Sequence, residues 1–175
     1  LTYADGSLIA EVDNDLLRIP VKSDAISENV KKAVIATEDE NFETHNGVVP
    51  KAVLRATLGS VVGVGSSSGG STITQQLIKQ QVVGDAPTFK RKAAEIVDAL
   101  ALERYMSKDD ILTTYLNVSP FGRNNKGQNI AGVEEAAQGI FGVSAKDLTV
   151  PQSAFIAGLP QSPIVYSPYA ADGSL

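Results

Sequence analysis

Between Pro87 and Ser107 the apolar residues Ala93, Ile96, Val97, Leu100, Ala101 and Tyr105 recur at intervals of one, three and four. Such intervals return to one side of a chain that turns every 3.6 residues, so they predict an amphipathic helix with a single apolar stripe. Both ends are marked. Gly84-Asp85-Ala86-Pro87 breaks the chain, Thr88 can cap the helix start, and Ser107-Lys108-Asp109-Asp110 opens the next helix with a capping signal.

The rest of the chain follows the same period. Ile26, Val30, Ala33 and Val34 predict a helix that starts near Ser23 or Ser27 and ends near Glu38. Further helices are predicted from about Pro50 to Leu58, over Ile73 to Val82, around Ile111, Leu112, Tyr115 and Leu116, and over Ala131 to Ile140. A last one runs from Thr149 to about Gly158, with Gln152 completing a capping box, Leu148 as a staple and Pro160 as the stop. Strand signals are thin: Leu8 to Val12 after the Asp5-Gly6 turn, while Pro120 to Gln128 reads as a polar loop. The fold class predicted is mainly α, one domain, with residues 1–22 irregular or strand-like and a core over about 23–168. No run is apolar enough to span a membrane and no signal peptide opens the chain; its abrupt start and end make it read as a segment of a longer protein.

Composition removes whole classes of chemistry. There is no cysteine, hence no thiol nucleophile, disulfide or thiolate metal site. A single histidine, His45, rules out a multi-histidine metal site and makes any Ser-His-Asp triad depend on it. The net charge of −5 disfavours nucleic acid as a partner. No Ser is followed three residues later by Lys, so the acylating motif of penicillin-sensitive transpeptidases is absent.

Three stretches could carry chemistry. Thr37 to Gly47, TEDENFETHNG, puts Glu38 near a helix C-terminus, where the helix dipole disfavours a carboxylate. A solvated helix end is the bland account and a base held for proton transfer the sharp one. Gly65 to Thr72 approximates a phosphate-binding loop, but Ser71 stands in the lysine position, which argues against an NTPase. Backbone N–H groups there could still meet a phosphate. Lys90-Arg91-Lys92 crowds cations at a helix N-terminus, and Arg91 and Glu95 share a face, where a surface pair would be worth only a few tenths of a kcal/mol. Asp13-Asn14-Asp15 is read as a polar turn, not as a metal-holding pair.

Order and spacing say more than any single stretch. Glu38-Asp39-x-x-Phe42-x-x-His45-x-Gly47 is followed by Gly69-Gly70-Ser71-Thr72-Ile73-Thr74-Gln75-Gln76-Leu77-x-Lys79 and Arg91-Lys92-x-x-Glu95. Then come Lys108-x-x-Ile111-Leu112-x-x-Tyr115-Leu116-Asn117, Gly132-Val133-x-x-Ala136-Ala137 and Ala157-Gly158-Leu159-Pro160-x-x-Pro163. Over Ser23 to Pro168 the chain strongly resembles the peptidoglycan glycosyltransferase domain of class A penicillin-binding proteins and monofunctional transglycosylases. It departs from the usual pattern at Ile140, Val143 and Gln152, positions of packing and surface.

The resemblance implies a lysozyme-like helical fold with a larger head lobe and a smaller, membrane-facing jaw. It implies polymerisation of lipid II, with a growing lipid-linked glycan, on the outer face of the bacterial cytoplasmic membrane. Glu38 matches the general base and Glu95 the second carboxylate. Lys79 and Arg91 match the cations facing pyrophosphate. Gln76, Ser71 and Thr72 match substrate contacts, as do Tyr115 and Asn117, and Asp39, Phe42 and His45 shape the site. No cofactor is implied as obligatory; a divalent cation, Mg or Mn, is compatible, and no metal ligands are assigned. Phosphoglycolipid inhibitors of the moenomycin type are expected in the cleft. The same residues also allow a lysozyme-like hydrolase, which would release muropeptides and has no use for a pyrophosphate clamp. They allow, too, an inert lipid- or peptidoglycan-binding module, against which the pairing of Glu38 with Glu95 argues. The apolar Val61, Val62 and Val64 suggest a mobile segment near lipid.

Overall fold

The structure, a computed structural model, describes residues 16–51, 70–84, 86 and 88–175. The strand expected at Leu8 to Val12, the Asp13–Asp15 turn, nearly all of the helix expected at Pro50 to Leu58 and the Val61–Val64 segment lie outside them.

Six α-helices carry the described residues: α1 Glu28–Glu38, α2 Ile73–Ile78, α3 Phe89–Tyr105, α4 Lys108–Val118, α5 Val133–Ala136 and α6 Val150–Gly158. The predicted caps form. Ser27, Thr88 and Ser107 accept from the backbone N–H of Asn29, Arg91 and Asp110 respectively. Gln152 accepts from the Thr149 N–H at 3.0 Å and from its hydroxyl at 2.8 Å. Each such bond satisfies a donor that a helix start would otherwise leave bare.

Two helices end in a widened turn. α2 passes into a π-turn over Lys79–Val83, and α5 into another over Ala137–Phe141. Both stop at a glycine with positive φ, Gly84 and Gly142 at 69°, which a Cβ would strain. The stretch expected as a polar loop, Pro120 to Gln128, instead opens with one strand of a hairpin whose second strand follows directly after it. β2 (Pro120–Arg123) and β3 (Asn129–Ala131) form an antiparallel hairpin, and β1 (Leu16–Leu17) adds in parallel to β3. Strands this short and polar leave almost no alternating pattern to read.

The core is built where α1 packs along α6 and where α2 packs on α3 and α4. Val30, Val34, Ile73, Ile111, Tyr115, Leu116, Phe121 and Ile156 are wholly buried in it. The stripe on α3 is largely exposed. Val97 is 63% exposed and Tyr105 87%, and Leu100, Ala93 and Ala101 are exposed as well. The face of α3 turned inward carries Glu95 and Ala99. Periodicity reports an apolar face but not what covers it.

Candidate active site

Glu38 is the last residue of α1, and the chain turns at once into the buried Asp39. The turn that follows Glu38 is held by the neighbouring element. α2 begins beside this turn, and the Ile73 N–H donates to Asp39 Oδ2 at 2.9 Å. The same oxygen meets His45 Nε2 at 2.8 Å. Because the Gly47 N–H points at His45 Nδ1 (3.0 Å), the ring proton sits on Nε2 and is donated to Asp39. His45 is thus a structural donor inside the turn.

A second layer braces this turn. Lys108 Nζ reaches the His45 carbonyl at 2.7 Å and Glu103 at 2.8 Å, and lies 4.5 Å from the centre of the Phe42 ring. Thr74 donates to the same Glu103 oxygen at 2.6 Å. Thr72 caps α2 by accepting from the Gln75 N–H, while Gln75 Oε1 accepts from the Thr72 N–H in return, and the Thr72 hydroxyl donates to the Gly47 carbonyl at 2.6 Å.

In front of this scaffold is a polar cleft of about 310 Å³. Glu38, Ser71, Gln76, Lys79 and Glu95 line it, with Gln75 and the Pro160–Gln161 corner. Gln76 joins the two sides of the wall. Its Nε2 donates to Glu38 Oε2 at 2.9 Å, and its Oε1 accepts from the Tyr115 hydroxyl at 3.0 Å. Burial, and then the charge of Glu38, push the ionisation of Tyr115 well above its ordinary value, so the phenol remains a donor.

Glu95 is 1% exposed, far from the surface pair its spacing with Arg91 suggests. Its oxygens accept from Arg91 Nη1 at 2.6 Å, from Gln75 Nε2 at 3.2 Å and from Lys92 Nζ. Lys92 also donates to Ser71 Oγ at 3.0 Å. The carboxylate anchors a cationic wall. Sequence reasoning did not single out Lys92 or Gln75, although both lie inside the quoted motifs; the signal available was the one-turn spacing of Lys92 from Glu95.

The structure therefore brings Glu38, Glu95, Lys79, Gln76 and Ser71 to one cleft, with Arg91 behind Glu95. It does not bring Thr72, Asp39, Phe42, His45, Tyr115 or Asn117 to the cleft lining. Thr72, Asp39 and Phe42 are buried in the interior. The Asn117 amide brackets Val21, accepting from its N–H and donating to its carbonyl, both at 2.8 Å. Thr72 and Asn117, expected as substrate contacts, both make internal bonds of this kind. Among the described residues, no three Asp, Glu or His side chains converge as a metal-ligand set.

Two carboxylates and a lysine lining one cleft, with an arginine paired to one of the carboxylates, suit transfer of a group from an anionic leaving group. Comparison with known families decides which. The family model described as transglycosylase matches residues 5–174. The chain belongs to the transglycosylase family. It is the peptidoglycan glycosyltransferase domain found in class A penicillin-binding proteins, an enzyme of cell-wall synthesis. Among relatives of this transglycosylase, penicillin-binding protein 1A of Clostridium perfringens strain 13 is 42% identical over 171 residues, covering 95% of this chain and 24% of the relative. Penicillin-binding protein 1F of Bacillus subtilis strain 168 is 40% identical over 151 residues, 86% of this chain and 20% of the relative. Penicillin-binding protein 1A of Escherichia coli K12 is 40% identical over 170 residues, 97% of this chain and 19% of the relative. The transglycosylase chain thus spans a quarter or less of the length of these relatives.

Proposed function

We propose that this transglycosylase polymerises lipid II into β-1,4-linked glycan. The observation that supports it is the shared cleft, lined by Glu38, Lys79 and Glu95, with Arg91 and Lys92 paired to Glu95. In the proposed step, Glu38 takes the proton of the acceptor sugar's 4-hydroxyl. That oxygen attacks the anomeric carbon of the donor, a new C–O bond forms, and the bond to pyrophosphate breaks with its electron pair leaving on the phosphate oxygen. The α linkage becomes β, and undecaprenyl pyrophosphate departs. Attack from one face with departure from the other is the logic of inverting glycosidases, and general-base assistance is worth roughly 10²–10⁴-fold.

Lys79 and Arg91 are the groups that would meet the charge developing on pyrophosphate. Glu95, saturated by donors, orients Arg91 and Lys92 in this scheme. Ser71 and Gln76 are the polar contacts on the wall. Phosphoglycolipids of the moenomycin type, which carry a phosphate and sugars, would compete for the same cleft.

The site of action is proposed to be the outer surface of the cytoplasmic membrane. No helix of the described residues is long and apolar enough to cross a membrane, but α3 offers an apolar face in Phe89, Val97, Leu100 and Tyr105, all exposed. Lipid contact accounts for a stripe that the core does not cover.

Incubation of the chain with lipid II in detergent, beside Glu38→Gln, tests the activity. Glycan polymer from the parent and almost none from the variant is the expected result. Equal polymer from both removes Glu38 from the base role, and release of muropeptides from sacculi would mean hydrolysis instead.

A further inference from the structure

A carboxylate at the last position of a helix needs something to aim it, because the helix itself stops there. Gln76 donates a hydrogen bond to Glu38, and Gln76 is in turn held from α4. Its amide carries one acceptor and one donor group, and the two are nearly the same shape. Turned one way, the NH₂ meets the Glu38 carboxylate. Turned the other way, oxygen faces oxygen and the base loses its donor. Which way it points is decided by its second neighbour.

That neighbour is Tyr115. Its ring is fully buried, and its hydroxyl donates to Gln76 Oε1 at 3.0 Å. With Oε1 engaged by an O–H, the NH₂ is directed to Glu38 Oε2 at 2.9 Å. We propose that Tyr115 is a positioning residue which, acting through Gln76, fixes the Glu38 carboxylate and leaves Oε1 as the atom that receives the acceptor's proton. This rests on the reading of Glu38 as the general base. It changes what Gln76 and Tyr115 are for: Gln76 serves the base as well as the wall of the cleft, and Tyr115 acts without touching substrate. Burial, together with the charge of Glu38, keeps the phenol protonated and therefore donating.

The test is a double-substitution cycle on lipid II polymerisation. Tyr115→Phe keeps the ring in the core and removes only the hydroxyl. Gln76→Met keeps the length and removes the amide. Tyr115→Phe is expected to lower kcat about ten-fold, a fraction of what a general base supplies, with KM within about two-fold and an unchanged far-UV circular dichroism spectrum. The double variant is expected to be no slower than Gln76→Met alone, since two residues that act in series do not add. A parental kcat in Tyr115→Phe overturns the relay. So does a double variant that loses the full product of the two single losses, because Tyr115 would then act independently of Gln76. Glu38→Gln run alongside keeps the two ideas apart. If it polymerises normally, the base assignment fails; if it is inactive while Tyr115→Phe keeps the parental kcat, only the relay fails.

Discussion

Glu95 sits among donors, and what it holds matters more than what it could transfer. Glu95→Gln leaves Arg91 and Lys92 facing an amide that cannot balance them. Breaking a buried ion pair from one side costs about 3–5 kcal/mol, and the lower end is expected because the Lys92 side chain is 32% exposed. Urea denaturation of the variant measures this, and polymerisation should fall with it. Gly47 is a stricter position. Its φ is 87°, and a Cβ there would lie 2.6 Å from the Ala99 carbonyl oxygen. Gly47→Ala therefore meets both backbone strain and a backbone clash, and a loss of at least about 2 kcal/mol is expected in thermal melts. Tyr115 gives the protein a pH dependence of known sign. Its ionisation is raised above the ordinary 10.0 in the folded state, so the unfolded chain gives up that proton first. The contribution is complete below pH 10 and is lost as pH rises beyond it, by up to about 1.4 kcal/mol per unit. Tyr115→Phe should flatten that alkaline loss in stability measurements.

At the scale of elements, caps were the most legible part of the sequence. A cap is a local bond between a hydroxyl and an N–H two or three residues on, and nothing distant has to cooperate. Thr72 adds to its cap a bond to the Gly47 carbonyl, so Thr72→Ala should cost about 2 kcal/mol, the upper end for a lost N-cap. The hairpin of β2 and β3 was not legible, because its pairing is made by backbone and by the Asn124 side chain, which accepts from the N–H groups of Lys126 and Gln128. The π-turn at Lys79–Val83 was not legible either, as a widened turn has no residue signature. Glu38, Lys79 and Glu95 could be nominated from motif order, while the burial of Glu95 and its bond with Lys92 required the packing of α2 on α3. The stripe on α3 was legible, but periodicity does not say what covers it. Val97→Asp should leave folding stability within about 0.5 kcal/mol, as for an exposed site. If lipid covers the stripe, it should weaken vesicle binding about ten-fold, measured by flotation.

For the whole molecule, the important feature is how far apart in sequence the supports of Glu38 lie. The start of α1 is tied to the far end of the chain: the Ser27 N–H donates to the Ala145 carbonyl, and the Ser27 hydroxyl and Asn29 amide both donate to the Leu148 carbonyl. α1 then packs along α6, and β1 pairs with β3 across a similar span. The end of α1 is braced from the middle of the chain by Ile73, Gln76 and, through His45, by Lys108. These closures are costly in chain entropy and reward the chain only once both partners exist. During synthesis, the helix that bears the base emerges among the first elements and waits for nearly all the others. The cleft can assemble only after α6 has left the ribosome, so a chain stopped short of Gly158 would carry every charged residue of the site and still have no site.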